Sequence, residues 1–218
     1  MRFECTEVKT VIHQQIKWQA LEELQRELIQ QVKKDPSLFF LLISEPSSTF
    51  TFGRNASRTD LIWSESQLKK NQVEVAAVSR GGKWTYHGPG QILIYPIVHL
   101  SSLGFSSKEA RRFVETLRHS VKNCLESWHL PVQSEEEPFG LFIKEKKLVS
   151  FGLSFEGGIS SHGLSVCFSS QQFFFNGIHP CGHSETQFTS LLEYLPHLKW
   201  CDAAEALVES IKKGFKFN

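Results

Sequence analysis

The sequence predicts an α+β fold: a mixed, largely antiparallel sheet flanked by helices. Three observations lead there. Short apolar or alternating runs cluster between an early and a late amphipathic helix. Several of these runs lie close enough along the chain to pair as hairpins. No repeat, low-complexity tract or linker divides the 218 residues, so residues 1–218 read as one domain, long enough to bury a core.

Ile16–Val32 has the period of an amphipathic helix, with Leu21, Leu24, Leu28 and Val32 on one stripe. Leu38–Ser44 is a continuous apolar run, the right length for a buried strand and too short for a helix. Pro46–Asn55 follows as a loop or edge strand ending in a turn. Val73–Ser79 and Ile92–Leu100 read as core strands. A second helix covers about Lys108–Ser127. Ser106 and Glu109 have capping-box spacing there, and Ala110, Phe113, Val114, Leu117, Val121, Cys124 and Leu125 form the buried stripe. Glu135–Glu137 reads as a solvated loop. Leu141–Lys144 and Leu148–Phe155 suggest a hairpin turning at Glu145–Lys147, and Gly157–Phe168 adds a turn and a strand. Asp202 and Glu205 suggest a capped final helix that carries Ala204, Leu207 and Ile211 inward.

Composition excludes several classes. A net charge of +1 with 40% hydrophobic residues fits neither a disordered chain nor a nucleic-acid-coating protein. No run approaches a membrane span, and MRFECTEVKT lacks the apolar core of a secretory signal, so a cytoplasmic protein is expected. The five cysteines are an odd set without CxxC spacing, which in a reducing compartment means free thiols.

Between the strands at Val73–Ser79 and Ile92–Leu100 lies Arg80-Gly81-Gly82-Lys83-Trp84-Thr85-Tyr86-His87-Gly88-Pro89-Gly90-Gln91. Four glycines and a proline in twelve residues make neither a helix interior nor a plain strand. Such a loop lets backbone N–H groups approach a ligand, with polar side chains beside them. Farther on, Pro180-Cys181-Gly182 holds a cysteine in a turn, outside any periodic stripe, where a thiolate could be presented for attack. Lys147 directly precedes a buried-looking strand, and an ammonium beside a cysteine would favour its thiolate. His162, Cys167, His179, Cys181 and His183 allow a metal to be considered, but their spacing suits zinc poorly and no metal site is assigned. Walker, Rossmann and Ser-His-Asp signatures are absent. A cysteine nucleophile without a nucleotide motif points to acyl transfer from an activated thioester.

These segments resemble one family. RGGKWTYHGPGQ looks like the RGG-x-x-TYHGPGQ signature of octanoyltransferases, the lipoyl(octanoyl) transferases that use octanoyl-acyl carrier protein. Glu145–Leu153 is similar to that family's K-[IL]-x-S-x-G-[LI] segment, His162-Gly163-Leu164 to its HGLALN element, and Phe175–Gly182 with Thr189-Ser190-Leu191 to its FNxIxPCG…TSL segment. The matches keep their order and spacing. The resemblance implies the fold of the biotin/lipoyl protein ligase and transferase superfamily and a ping-pong reaction. Cys181 would be the nucleophile and Lys147 the group that lowers its pKa and moves protons. Arg80, Gly81, Gly82, Lys83, Trp84, Thr85, Tyr86, His87, Ser150, Phe151, Gly152, Gly163, Leu164 and Ser165 would line the acyl and substrate pocket. The donor would be octanoyl-acyl carrier protein. The acceptor would be a lysine of a lipoyl domain, on a 2-oxoacid dehydrogenase subunit or the glycine cleavage H protein. Neither a metal nor any other cofactor is implied, nor a nucleic-acid or membrane partner.

Three positions depart from the pattern. Ser165-Val166-Cys167 stands where the family reads ALN, Glu45 lacks a following histidine, and Phe155-Glu156-Gly157-Gly158 replaces a basic pair. The rival readings are an ATP-dependent lipoate or biotin protein ligase, whose loops carry RR-x-x-GGG or GRGR patterns, and a non-catalytic acyl- or carrier-binding paralogue.

Overall fold

The computed structural model describes residues 5, 7–137, 139–179 and 187–217. Among these described residues, ten strands form two sheets. The larger has seven strands in the order β1 (Val8–Ile16), β2 (Phe39–Pro46), β6 (Gln91–Val98), β10 (Ile159–Cys167), β9 (Lys146–Glu156), β8 (Phe139–Ile143) and β7 (Val132–Glu136). Only β1 and β2 pair in parallel, joined by helix α1 (Trp18–Lys34). Every other neighbour is antiparallel, so the sheet is mixed and largely antiparallel. The smaller sheet orders β4 (Glu74–Ala77), β3 (Thr49–Phe52) and β5 (Trp84–His87). The remaining helices are α2 (Glu65–Lys70), α3 (Ala110–Ser127), α4 (Gln172–Phe175) and α5 (Trp200–Gly214).

Apolar alternation explains the layering. On β2, Phe39, Leu41 and Ile43 face a core shared with α3 and α5, while Phe40 and Leu42 pack with Leu21, Leu28 and Val32 of α1. On β6, Ile92 and Ile94 join the first set and Leu93, Tyr95 and Ile97 the second. Central strands covered on both faces need no polar alternation, so they read as continuous apolar runs. Pro96 sits inside central β6 without an N–H to give its ladder. Ser160 offsets this: its hydroxyl donates to the Pro96 carbonyl (2.7 Å) and accepts from the Val98 N–H (3.2 Å).

Several expectations are corrected. β1 lies outside the predicted cluster of strands; its residues are mostly exposed because it forms an edge, so its pattern is faint. Thr49–Phe52 is the central strand of the small sheet, not an edge. The Val73–Ser79 region contributes an exposed edge strand, not a core strand. The glycine-rich segment is not one loop: Trp84–His87 form β5, paired to β3 between two glycine turns. Glu135 and Glu136 end a strand because Arg118 of α3 holds them. Its guanidinium reaches the Glu136 carboxylate (2.7 Å) and the Glu135 carbonyl (3.3 Å). Asp202 lies in the first turn of α5 but does not cap it; Lys199 is the cap residue and makes no side-chain cap bond. The Ser106–Glu109 capping box stands as expected, and so does the α3 stripe, Cys124 included, except that Ala110 and Val114 are only partly buried. No helix among the described residues is long and apolar enough to cross a membrane.

The small sheet is joined to the first glycine turn through backbone. The N–H groups of Gly53, Arg54 and Asn55 donate to the carbonyls of Lys83, Arg80 and Gly82, each at 3.3 Å. A Cβ on Gly53 would meet the Gly82 carbonyl oxygen at 2.6 Å and that of Arg80 at 2.9 Å. Gly53→Ala is therefore expected to cost about 1–3 kcal/mol through forced backbone shifts. Thermal unfolding checks this, with a Tm fall on the order of 2–4 °C per kcal/mol at this chain length. An unchanged Tm would mean that the turn moves freely.

Candidate active site

A cavity of about 480 Å³ lies between the glycine turn and the large sheet, within the usual range for small-ligand sites. The sheet makes room for it through its small side chains. Along the cavity, Ser150 of β9 pairs with Ser165 of β10 and Gly152 with Gly163, and Ser154 pairs with Ser161 just beyond it. Val166 points the other way, into the core, and Leu164 joins that core while bordering the cavity. A Cβ on Gly163 would run into the Ile94 carbonyl and the Pro96 ring, so even alanine is excluded there.

Lys147 reaches this face because β9 carries a bulge. Leu141 pairs with Val149, but Phe142 pairs with Lys147, leaving Leu148 as the extra residue. Without the bulge, Lys147 would share the core-facing side of Val149. With it, the lysine joins Ser150 on the cavity wall, as bulges near sites commonly re-aim a side chain. Lys147 is 2% exposed. Its N–H donates to the Gln187 carbonyl (2.8 Å) and its carbonyl accepts from Thr189 (3.0 Å). The 187–189 segment therefore runs beside it as a short parallel bridge. Phe188 of that segment stacks on Phe175 of α4 at 3.5 Å and also lines the cavity.

The opposite wall carries Arg80 and His87. Arg80 is buried, and its guanidinium donates to the Thr51 hydroxyl (2.8 Å), the Thr51 carbonyl (3.1 Å) and the Gly81 carbonyl (2.9 Å). His87 stacks on Trp18 of α1, with centroids 5.3 Å apart. Gln91 gives its amide N–H to the Tyr86 carbonyl, so its Oε1 accepts from His87 Nδ1–H at 3.1 Å. Burial pushes the His87 pKa down to about 3, with the Arg80 charge acting in the same direction. His162, whose Nε2 lies 3.2 Å from the Ser79 hydroxyl, is pushed down to about 4 by burial and then by Arg80. Both imidazoles are neutral near pH 7, so the histidines leave the cationic character of the cavity to Arg80, Lys83 and Lys147.

Residues 19–212 match the lipoyl protein ligase A/B catalytic domain family. The octanoyltransferase of Coxiella burnetii (strain RSA 331 / Henzerling II) is 30% identical over 189 residues, 80% of this chain and 77% of its own. The mitochondrial octanoyltransferase of Arabidopsis thaliana is 30% identical over 199 residues, covering 90% and 83%. This chain belongs to the octanoyltransferase family. It is an acyltransferase of lipoyl/octanoyl transfer. Its fold is that of the bipartite lipoate protein ligase of Thermoplasma acidophilum, with a TM-score of 0.79 at 12% identity over 98% of this chain and 85% of that one.

In this octanoyltransferase, Arg80, Gly81, Gly82, Lys83, Trp84, Thr85, His87, Lys147, Ser150, Phe151, Gly152, Gly163, Leu164 and Ser165 all line the cavity. Tyr86 does not. Strand alternation turns it into the aromatic core, stacked on Phe174 at 4.4 Å with its hydroxyl 3.1 Å from that of Ser48. Cys181 lies outside the described residues, as does His183. Cys167, in place of the family's asparagine, is a buried core thiol whose pKa burial pushes up to about 12, although the Lys147 charge pulls it down. Glu45, without its histidine, accepts from the Gly90 N–H at 2.8 Å and so braces the second glycine turn. No group of His, Cys, Asp or Glu among the described residues is placed to hold a metal. Trp18, Tyr95, Phe139 and Phe188 also line the cavity and were not singled out from the sequence. Only the alternating Ser-x-Gly-x-Ser runs at 150–154 and 161–165 could have signalled the trough.

The two buried histidines set a pH dependence. Unfolded, each titrates near its usual 6.5; folded, near 3 and 4. Below pH 6.5 the unfolded chain binds more protons, so stability is full above that pH and declines as pH falls toward 4 and then 3. At pH 5 the loss is about 2 kcal/mol for each histidine. Urea unfolding at pH 7.5 and 5 checks this, and His162→Asn or His87→Asn is expected to flatten the slope by its own share. Equal stability at the two pH values would mean that the imidazoles are charged in the fold.

Proposed function

We propose that this octanoyltransferase moves an octanoyl group from octanoyl-acyl carrier protein to a lysine of a lipoyl domain through an acyl-cysteine at Cys181. One observation carries the reading most. Lys147, buried on the cavity wall, pairs backbone to backbone with Gln187, and Cys181 precedes that residue by only six positions. The match of residues 19–212 to the family and the Pro-Cys-Gly sequence support it.

In the first half-reaction the Cys181 thiolate attacks the thioester carbonyl carbon. The new C–S bond forms as the bond to the carrier's thiol breaks, and the departing thiolate takes a proton from the Lys147 ammonium. In the second, the neutral amine of the acceptor lysine attacks the acyl-cysteine. An amide forms, the Cys181 thiolate leaves, and Lys147 recovers its proton from the amine nitrogen. Arg80–Thr85, His87, Ser150–Gly152 and Gly163–Ser165 enclose the acyl chain, and backbone N–H groups of the glycine turns stabilise the oxyanion. The thiol-for-thiol exchange is nearly balanced in free energy, so the acyl-cysteine stays reactive.

Incubation with octanoyl-acyl carrier protein is expected to add one octanoyl group to Cys181 by mass spectrometry, and Cys181→Ala to abolish the adduct. An unmodified wild type, or an adduct that persists in the variant, would remove Cys181 from the reaction. Lys147→Ala is expected to fold normally and to slow transfer by about 10²–10⁴-fold, the usual contribution of a positioned acid–base group. A wild-type rate in that variant would refute the role given to Lys147. Acceptor modification that requires ATP and free octanoate would instead favour a ligase.

A further inference from the structure

The Lys147 side chain lies along β8 in a groove that this strand leaves for it. Lys147 pairs directly with Phe142, so both project from the cavity face, and Nζ stands over the Phe142 ring at 5.4 Å from its centroid. Two residues back on the same face is Gly140. A Cβ there would meet Lys147 Cε at 2.5 Å and the Val149 carbonyl at 2.7 Å. Glycine in a strand interior costs stability and commonly marks a place where other atoms must pass close by. Here those atoms are the end of the lysine stem and, beside it, the Val149 carbonyl. The rest of β8 is held firmly: Phe139 packs edge-on against Phe151 (5.6 Å), and the Arg118 guanidinium lies over Phe139 (4.6 Å) while bonding Glu136. The strand cannot easily move aside, so the missing side chain at 140 is what leaves the lysine its path.

We propose that Gly140 is a positioning residue for catalysis: with the Phe142 ring, it forms the groove that aims the Lys147 ammonium into the cavity. This rests on the reading of Lys147 as the proton-transfer group. Gly140 touches neither reactant. It acts through where Nζ comes to lie, a term that the sequence motif of the lysine does not contain.

The test compares octanoyl transfer to a lipoyl domain by wild type, Gly140→Ala, Lys147→Ala and the double variant, with the pH dependence of Cys181 alkylation by iodoacetamide read on the Cys181 peptide. Gly140→Ala is expected to lower kcat about 10²-fold with KM unchanged, the size of effect that a misplacement of about 1 Å produces. It should also move the alkylation midpoint to higher pH, toward that of Lys147→Ala. In the Lys147→Ala background it should lower kcat no further. A wild-type rate in Gly140→Ala beside a slow Lys147→Ala overturns the positioning role alone. So does an equal fall in both backgrounds, which would mark a purely structural glycine. A wild-type rate in Lys147→Ala removes the underlying reading and the positioning role with it. If Gly140→Ala does not fold by near-ultraviolet circular dichroism, Phe142→Leu takes its place. Removing the ring beneath Nζ should shift the same alkylation midpoint, and an unmoved midpoint overturns the proposal.

Discussion

A sheet packed on both faces has no space for a ligand unless some strip of it lacks side chains. That constraint organises this molecule. β2 and β6 are filled on both sides by large apolar residues, yet β9 and β10 present paired serines and glycines toward α1 and the small sheet. The trough that results is the cavity floor, and the other described lining residues are arranged around its rim. The small sheet holds the glycine turn over it, α1 contributes Trp18, and the edge strands β7 and β8 supply the wall with Phe139.

Within that trough, burial decides charge. His87 and His162 are kept neutral because desolvation and the neighbouring Arg80 both oppose a second cation. The thiols of Cys124 and Cys167 are pushed up to about 12 by the same burial, so neither competes as a nucleophile. The cavity thus sets the basic side chains of Arg80, Lys83 and Lys147 beside neutral imidazoles. Such a wall accepts an apolar chain and still stabilises negative charge on sulfur or oxygen.

Much of this was legible in the sequence, and the reasons differ by element. The α3 stripe, its capping box and the apolar run of β2 follow from period and local chemistry, which act within a few residues. β1 was missed because an exposed edge strand needs no apolar alternation. Tyr86 was placed with its neighbours in the pocket because a motif does not say which way each side chain points. Pairing of β5 with β3 sends it into the core instead.

By itself the sequence determined the class of fold, the family through its ordered motifs, and the residues Arg80, Lys147 and Ser150 that meet around one cavity. Those features rest on residue type and short spacing. Only the tertiary structure decided which face each residue occupies. The Leu148 bulge turns Lys147 out of the core, and Gly140 leaves its stem a path. The Ser/Gly pairs hollow the floor, and Trp18 comes across from α1 to stack on His87. Strand register sets these relations among residues distant in sequence, and a single slip would reverse every side chain.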